Sequence, residues 1–152
     1  MHLTLHSDYA LRVLLYLRLR GENKSTIQEI ADAYAISKNH LMKVVQQLAA
    51  LGYVSASRGR NGGLVLAKQA EDVNLGRVVE QMEPHLNLVE CFDMTVNTCP
   101  IALCCDLKTV LTEAQQSFLT TLARYTLADL GTRPERLRKL LQIAPASQPG
   151  QT

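Results

Sequence analysis

With 152 residues, 47% of them apolar and only 5% aromatic, the chain suits one compact domain, or a small domain with an appended pairing helix, built from helices rather than a β-sandwich. The net charge of +2 hides an asymmetry: residues 1–68 carry nine Lys/Arg against four Asp/Glu, the remainder seven against ten, and no acid lies between Ala33 and Ala70. No apolar run reaches the length of a membrane span, and a basic half joined to an acidic half suits a protein that turns one face to a polyanion.

The first element is "SDYALRVLLYLRL", with Ser7 as a candidate N-cap and Ala10, Val13, Leu14 and Leu17 at helical spacing, so a helix is expected over roughly 8–19, stopped by Gly21. Charged Asp8, Arg12, Arg18 and Arg20 interrupt it, unlike a signal peptide, and a cytoplasmic location is expected. In "KSTIQEIADAYAI", Ser25 with Gln28 or Thr26 with Glu29 fits a capping box ahead of an apolar face. "SKNHLMKVVQQLAALG" then begins at Ser37, shows an apolar stripe at Leu41, Val44, Val45, Leu48 and Leu51, and closes at Gly52.

Two short helices with a tight turn between them, the second basic at its start, read as a helix-turn-helix. "YVSASRGRNGGLVLA" follows with the shape of a β-hairpin whose Gly-rich turn carries two arginines. Taken separately, these stretches are an ordinary surface helix and a solvated loop; in this order they predict a mainly α fold with a small β-hairpin wing, a winged helix-turn-helix over residues 1–70. In that fold Ser37, Lys38, Asn39, His40 and Lys43 would present base-edge and phosphate contacts in the major groove. Arg58, Arg60 and Asn61 would reach phosphates or the minor groove from the wing.

"NLGRVVEQMEP" predicts a short helix over about 74–82 within a linking segment, 71–90. A loop over 91–105 holds Cys91, Cys99, Cys104 and Cys105, every cysteine in the chain. In a reducing compartment a structural disulfide is disfavoured, and the Cys-x-x-Cys pairs usual in zinc sites are absent. A thiol redox switch and an iron–sulfur cluster remain, with the spacing Cys91-x7-Cys99-x5-Cys105 favouring the cluster. Beyond the loop, Leu107, Leu111, Ala114, Phe118, Leu122 and Tyr125 form one apolar stripe, expected to be a dimerisation helix over 106–131. "PERLRKLL" predicts a short helix and "APASQPGQT" a disordered tail, within 132–152.

"SDYALR", "SKNHLMKVVQQL", "GYVSASRGRNGGLVL" and the cysteine loop ahead of a long helix resemble the winged-helix iron–sulfur regulators, the family that includes IscR, and within it the nitric-oxide-sensing repressors. The resemblance covers about residues 1–140. It implies a homodimer that binds double-stranded operator DNA, represses genes for nitric-oxide detoxification while its cluster is intact, and has no enzymatic activity. By position the cluster ligands would be Cys91, Cys99 and Cys105, with Cys104 a bystander. The cofactor would be a [4Fe-4S] cluster, with [2Fe-2S] as the alternative. The histidine that IscR-like members carry three residues beyond the last cysteine is Lys108 here, which argues against an IscR role. In the nitric-oxide sensors an aspartate near the N-terminus of the other subunit can complete the site, and Asp8 matches it. His85, Glu90, Asp93, Asp106 and an exogenous ligand are weaker alternatives, and Asp8 also suits the start of a helix for dipole reasons alone. The runner-up function is a cluster-free winged-helix repressor whose cysteine thiols sense oxidants.

Overall fold

The computed structural model describes residues 2–57, 59 and 62–144. Helix α1 (Leu5–Arg20) is the central element, burying Ala10, Val13, Leu14, Tyr16, Leu17 and Leu19. Its cap is Thr4, whose hydroxyl accepts the Ser7 N–H at 3.3 Å, so the helix starts earlier than the Ser7 reading expected. Ser7 lies inside the first turn and is itself buried.

Helix α2 (Ile27–Tyr34) opens with the second of the two anticipated capping boxes, Thr26 with Glu29. It ends at Ala35, at φ +52°, and after a brief turn α3 (Lys38–Ala50) begins behind Ser37, which occupies the cap position without a side-chain cap bond. Leu41, Val44, Val45 and Leu48 turn that helix toward α1 and into the core. Strands β1 (Val54–Ser57) and β2 (Gly63–Leu66) pair antiparallel, with Val54 opposite Leu66 and Ser57 opposite Gly63. Ser25 extends this hairpin by exchanging backbone bonds with Leu64 at 3.0 and 2.7 Å, which ties the wing to the entrance of α2.

Helix α4 (Leu75–Met82) buries Leu75, Val78, Val79 and Met82. Irregular chain and the cysteine loop lead to α5 (Asp106–Ala123), which buries none of its residues. Its C-terminal end lies against α4 at Gly76, where a Cβ would stand 2.9 Å from the Ala123 nitrogen; only glycine permits so close an approach.

The expected helix over 106–131 therefore ends at Ala123, and Tyr125 of the predicted stripe lies outside it. Backbone pairing outcompetes helix continuation here. Leu75 N–H donates to Tyr125 O at 3.0 Å, Leu127 N–H donates to Val73 O at 2.8 Å, and Thr126 and Asp129 cap a single 3-10 turn that buries Leu127 completely. Helix α6 (Pro134–Leu140) matches the anticipated short helix and docks on α1, with Arg138 Nε donating to Leu19 O at 3.0 Å. Arg18 reinforces the same junction by donating to the carbonyls of Ala128 and Leu130. Of the anticipated disordered tail, 144–152, residues 145–152 lie outside the described residues.

Candidate nucleic-acid interface and cysteine loop

The buried stripe of α3 dictates what its other side presents. Ser37, Lys38, Asn39, His40 and Lys43 are all exposed, so the structure gathers the five residues predicted for major-groove contact at one end of one helix. Met42 and Gln46 are exposed on the same side of the helix. Met42 is a large apolar side chain 49% exposed among polar neighbours, three residues from Asn39 and four from Lys38. The His40 ring meets Tyr9 of α1 edge to face, with centroids 5.4 Å apart, which braces the first turn of α3 against α1.

Arg58, Arg60 and Asn61 lie outside the described residues. Their surroundings form a tight turn: Gly59 sits at φ +102° and its carbonyl accepts the Gly62 N–H at 2.9 Å, while the Ser57 hydroxyl accepts the Gly63 N–H at 3.2 Å. The positive φ explains why the wing tip needs glycine.

Asp8, on the first turn of α1, is engaged by Arg12 through Nε at 3.0 Å and Nη2 at 2.6 Å. The Asp8 hydrogen bond holds the Arg12 guanidinium above its ordinary pKa. Arg12 also lies over the rings of Tyr9, at 5.7 Å, and Tyr34, at 5.9 Å. Burial pushes the Tyr34 phenol up to about 12 against the opposing pull of Arg12, and its buried hydroxyl finds no hydrogen-bond partner among the described residues.

The cysteine loop is held by its own polar contacts. Asp93 accepts from the Thr95 hydroxyl at 2.6 Å and the Thr95 N–H at 2.9 Å, which pull its carboxyl below the usual range. Thr98 donates to Glu90 at 3.1 Å, and Asn97 accepts the Cys99 N–H at 3.1 Å. Glu90 and Asp93 are thus occupied within the loop, while His85 and Asp106 face solvent. Lys108, standing where an IscR-like histidine would be, is turned toward the Met94 sulfur at 3.8 Å.

All four cysteines are free thiols; Cys91, Cys99 and Cys105 are partly buried and Cys104 is exposed. Cys105 occupies the N-cap position of α5 without a side-chain cap bond. Among the described residues no three His, Cys, Asp or Glu side chains are grouped to hold a single metal ion. A multi-iron cluster spreads its thiolates over different irons, so it does not require that grouping. The donor set, three partly shielded free thiols on one loop, fits an iron–sulfur group in its chemistry. Asp8 is not brought to the cysteines within one chain; it stays with Arg12 on α1.

A family model described as "Iron-dependent Transcriptional regulator", Rrf2, matches residues 3–133. The chain belongs to the Rrf2 family. Two Rrf2-like relatives, each named "HTH-type transcriptional regulator NsrR", align over almost their full lengths. The Bacillus subtilis protein is 49% identical over 144 residues, spanning 94% of this chain and 99% of the relative. The Shouchella clausii protein is 47% identical over 149 residues, spanning 97% and 100%. Among solved structures, T. potens IscR superposes with a TM-score of 0.68 over 97% of this chain and 94% of its own, at 21% identity, and shares the fold. This Rrf2 protein is therefore a helix-turn-helix transcriptional regulator that binds DNA, and its function is regulation rather than catalysis. None of its described helices is long and apolar enough to cross a membrane.

Proposed function

We propose that this Rrf2 regulator is a cytoplasmic homodimeric repressor that holds operator DNA while an iron–sulfur cluster is bound and releases it on exposure to nitric oxide, derepressing genes for nitric-oxide detoxification. The observation that carries this reading is the set of free, partly buried thiols at Cys91, Cys99 and Cys105 on a loop that opens directly into an exposed apolar helix. Those three residues would hold the cluster, in the [4Fe-4S] form, with Asp8 of the partner subunit as the fourth ligand and Cys104 uninvolved.

Dimerisation through α5 is supported by what the single chain leaves uncovered. Leu107 and Val110 are exposed, and Leu111, Phe118 and Leu122 are only partly covered. A second copy would bury that stripe and set two α3 helices against two half-sites. A bound cluster would supply iron chemistry reactive toward nitric oxide, with Cys91, Cys99 and Cys105 holding it by thiolate and the partner's Asp8 by a more readily exchanged carboxylate. Asp8 has an alternative partner already in place, because Arg12 on its own helix takes the carboxylate in two hydrogen bonds. A carboxylate that exchanges between the partner's cluster loop and Arg12 would move α1, against which α3 packs through Tyr9 and His40. Each 1.4 kcal/mol of misalignment across two half-sites weakens binding about tenfold, so a loss of about 3–4 kcal/mol releases the operator.

The test is anaerobic purification followed by iron, sulfide and visible-absorption analysis, with operator binding measured along a nitric-oxide titration. A coloured dimer that lets go of DNA as its absorption bleaches is the expected result. A colourless protein that resists iron reconstitution, yet binds DNA and responds to thiol oxidants, would replace this reading with a cluster-free repressor using its cysteine thiols as a redox sensor.

A further inference from the structure

The last turn of α4 leads through a short irregular segment to the cysteine loop, and this end of α4 is joined by hydrogen bonds to three parts of the DNA-binding unit. Gln81 O accepts from Gln47 Nε2 of α3 at 3.0 Å. The Gln81 side-chain oxygen accepts from the Tyr53 hydroxyl, beside strand β1, at 2.5 Å. Glu83 accepts from the Thr4 N–H at 2.8 Å and the Thr4 hydroxyl at 3.1 Å, and so holds the cap of α1. The network closes through His6 of α1, whose Nε2 lies 2.8 Å from Gln47 Oε1.

These bonds are not needed to keep α4 folded. Val78, Val79 and Met82 already anchor it in the core, and a hydrogen bond at a partly wet surface adds little to that. What the network does specify is the rotation of α3 and the seat of β1 relative to α4. The chain on the other side of the junction is gripped too. Between Glu83 and Val89 there is no helix or strand, and Gln115 of α5 donates to the carbonyl of Leu86 in that segment. Gln115 thus ties α5 to the segment that runs from α4 to the cysteine loop.

We propose that Gln81, with Gln47 and Tyr53, is a positioning device that carries the state of the cysteine loop to the recognition helix and wing of the same subunit. It deepens the proposed function and rests on it. It adds a route within one chain, whereas Asp8 acts between subunits.

The experiment compares Gln81→Met, Tyr53→Phe and Gln81→Glu with the unaltered protein, each purified anaerobically as cluster-loaded dimer and as apo-protein. The probe is a duplex recovered from a random library by selection on the loaded protein. The readout is the ratio of loaded to apo affinity at fixed salt. Gln81→Met and Tyr53→Phe each remove the bond to Tyr53 and are expected to shrink that ratio about tenfold, within the usual range of coupling between sites, with cluster absorption unchanged. The double variant should go no further than either single one, and Gln81→Glu, whose carboxylate still accepts from Tyr53, should restore the ratio. A ratio unchanged in both single variants, even if both affinities fall together, overturns the proposal, because a merely structural role weakens both states alike. If the unaltered protein itself shows no difference between loaded and apo forms, the proposed function falls, and this route with it.

Discussion

Asp8 and Arg12 meet one helical turn apart on α1, with two hydrogen bonds between one carboxylate and one guanidinium. Both side chains keep around two-fifths of their surface in water, at 37% and 42%, so the pair adds only about 0.5 kcal/mol to stability. Asp8→Ala should therefore leave the melting temperature almost unchanged. It should nonetheless destabilise the cluster and blunt the nitric-oxide response, read by absorption and by operator release. A variant with intact cluster, normal DNA affinity and normal response would remove Asp8 from the ligand set.

Salt dependence separates the DNA face from the cysteine loop. Lys43→Ala and Arg60→Ala should each weaken operator binding and reduce the slope of log affinity against log salt by about 0.9. Their cluster spectra should match that of the unaltered protein. Loss of the cluster in either variant would contradict the division of labour between the two halves.

Tyr34 gives a signed prediction with pH. Its phenol is pushed up from an ordinary 10 to about 12, first by burial. Below pH 10 both folded and unfolded chains hold the proton, and stability is at its full value. Between about 10 and 12 the unfolded chain loses the proton first, so stability falls as pH rises through that window. Tyr34→Phe should flatten that fall in urea titrations, although Tyr16 and Tyr53, also raised by burial, retain a share of it. At neutral pH the same change should be neutral or stabilising by up to about 1 kcal/mol, since it removes a hydroxyl that is buried without a partner. A large loss at neutral pH would mean that the hydroxyl has a partner in solution.

Gly76→Ala places a methyl group against the backbone at Ala123, which cannot yield as a flexible side chain would. The expected cost is about 1–3 kcal/mol, visible as a lower denaturation midpoint. An unchanged midpoint would show that α4 and the end of α5 are not held together as tightly as this contact requires.

Among the cysteines, Cys104→Ser should keep the visible absorption of the loaded protein, and Cys91→Ser should lose it. Loss in both would place Cys104 among the ligands.

Most of the DNA-binding half is legible in the chain because local rules agree with each other there. Thr26 with Glu29 caps α2, the Leu41–Leu48 stripe orients α3, and glycines at 52 and 59 take positive φ where the chain must turn. The errors fall where long-range pairing decides. Ser7 looked like the cap of α1, but Glu83 holds Thr4 in that place. Tyr125 continued the apolar rhythm of α5, yet the bonds of residues 125 and 127 to the start of α4 stop the helix at Ala123.

The sequence by itself determined the winged helix-turn-helix, the exposed basic end of α3, and the concentration of every thiol in one loop. Periodicity, capping chemistry and composition are local, and they survive without any knowledge of neighbours. Only the tertiary structure decided that Asp8 rests on Arg12, that α5 leaves its stripe at best partly covered in one chain, and that Gln81 of α4 bonds to Gln47 of α3 and to Tyr53 beside β1. Those facts depend on side chains far apart in sequence meeting at hydrogen-bond distance, and no spacing rule encodes such meetings.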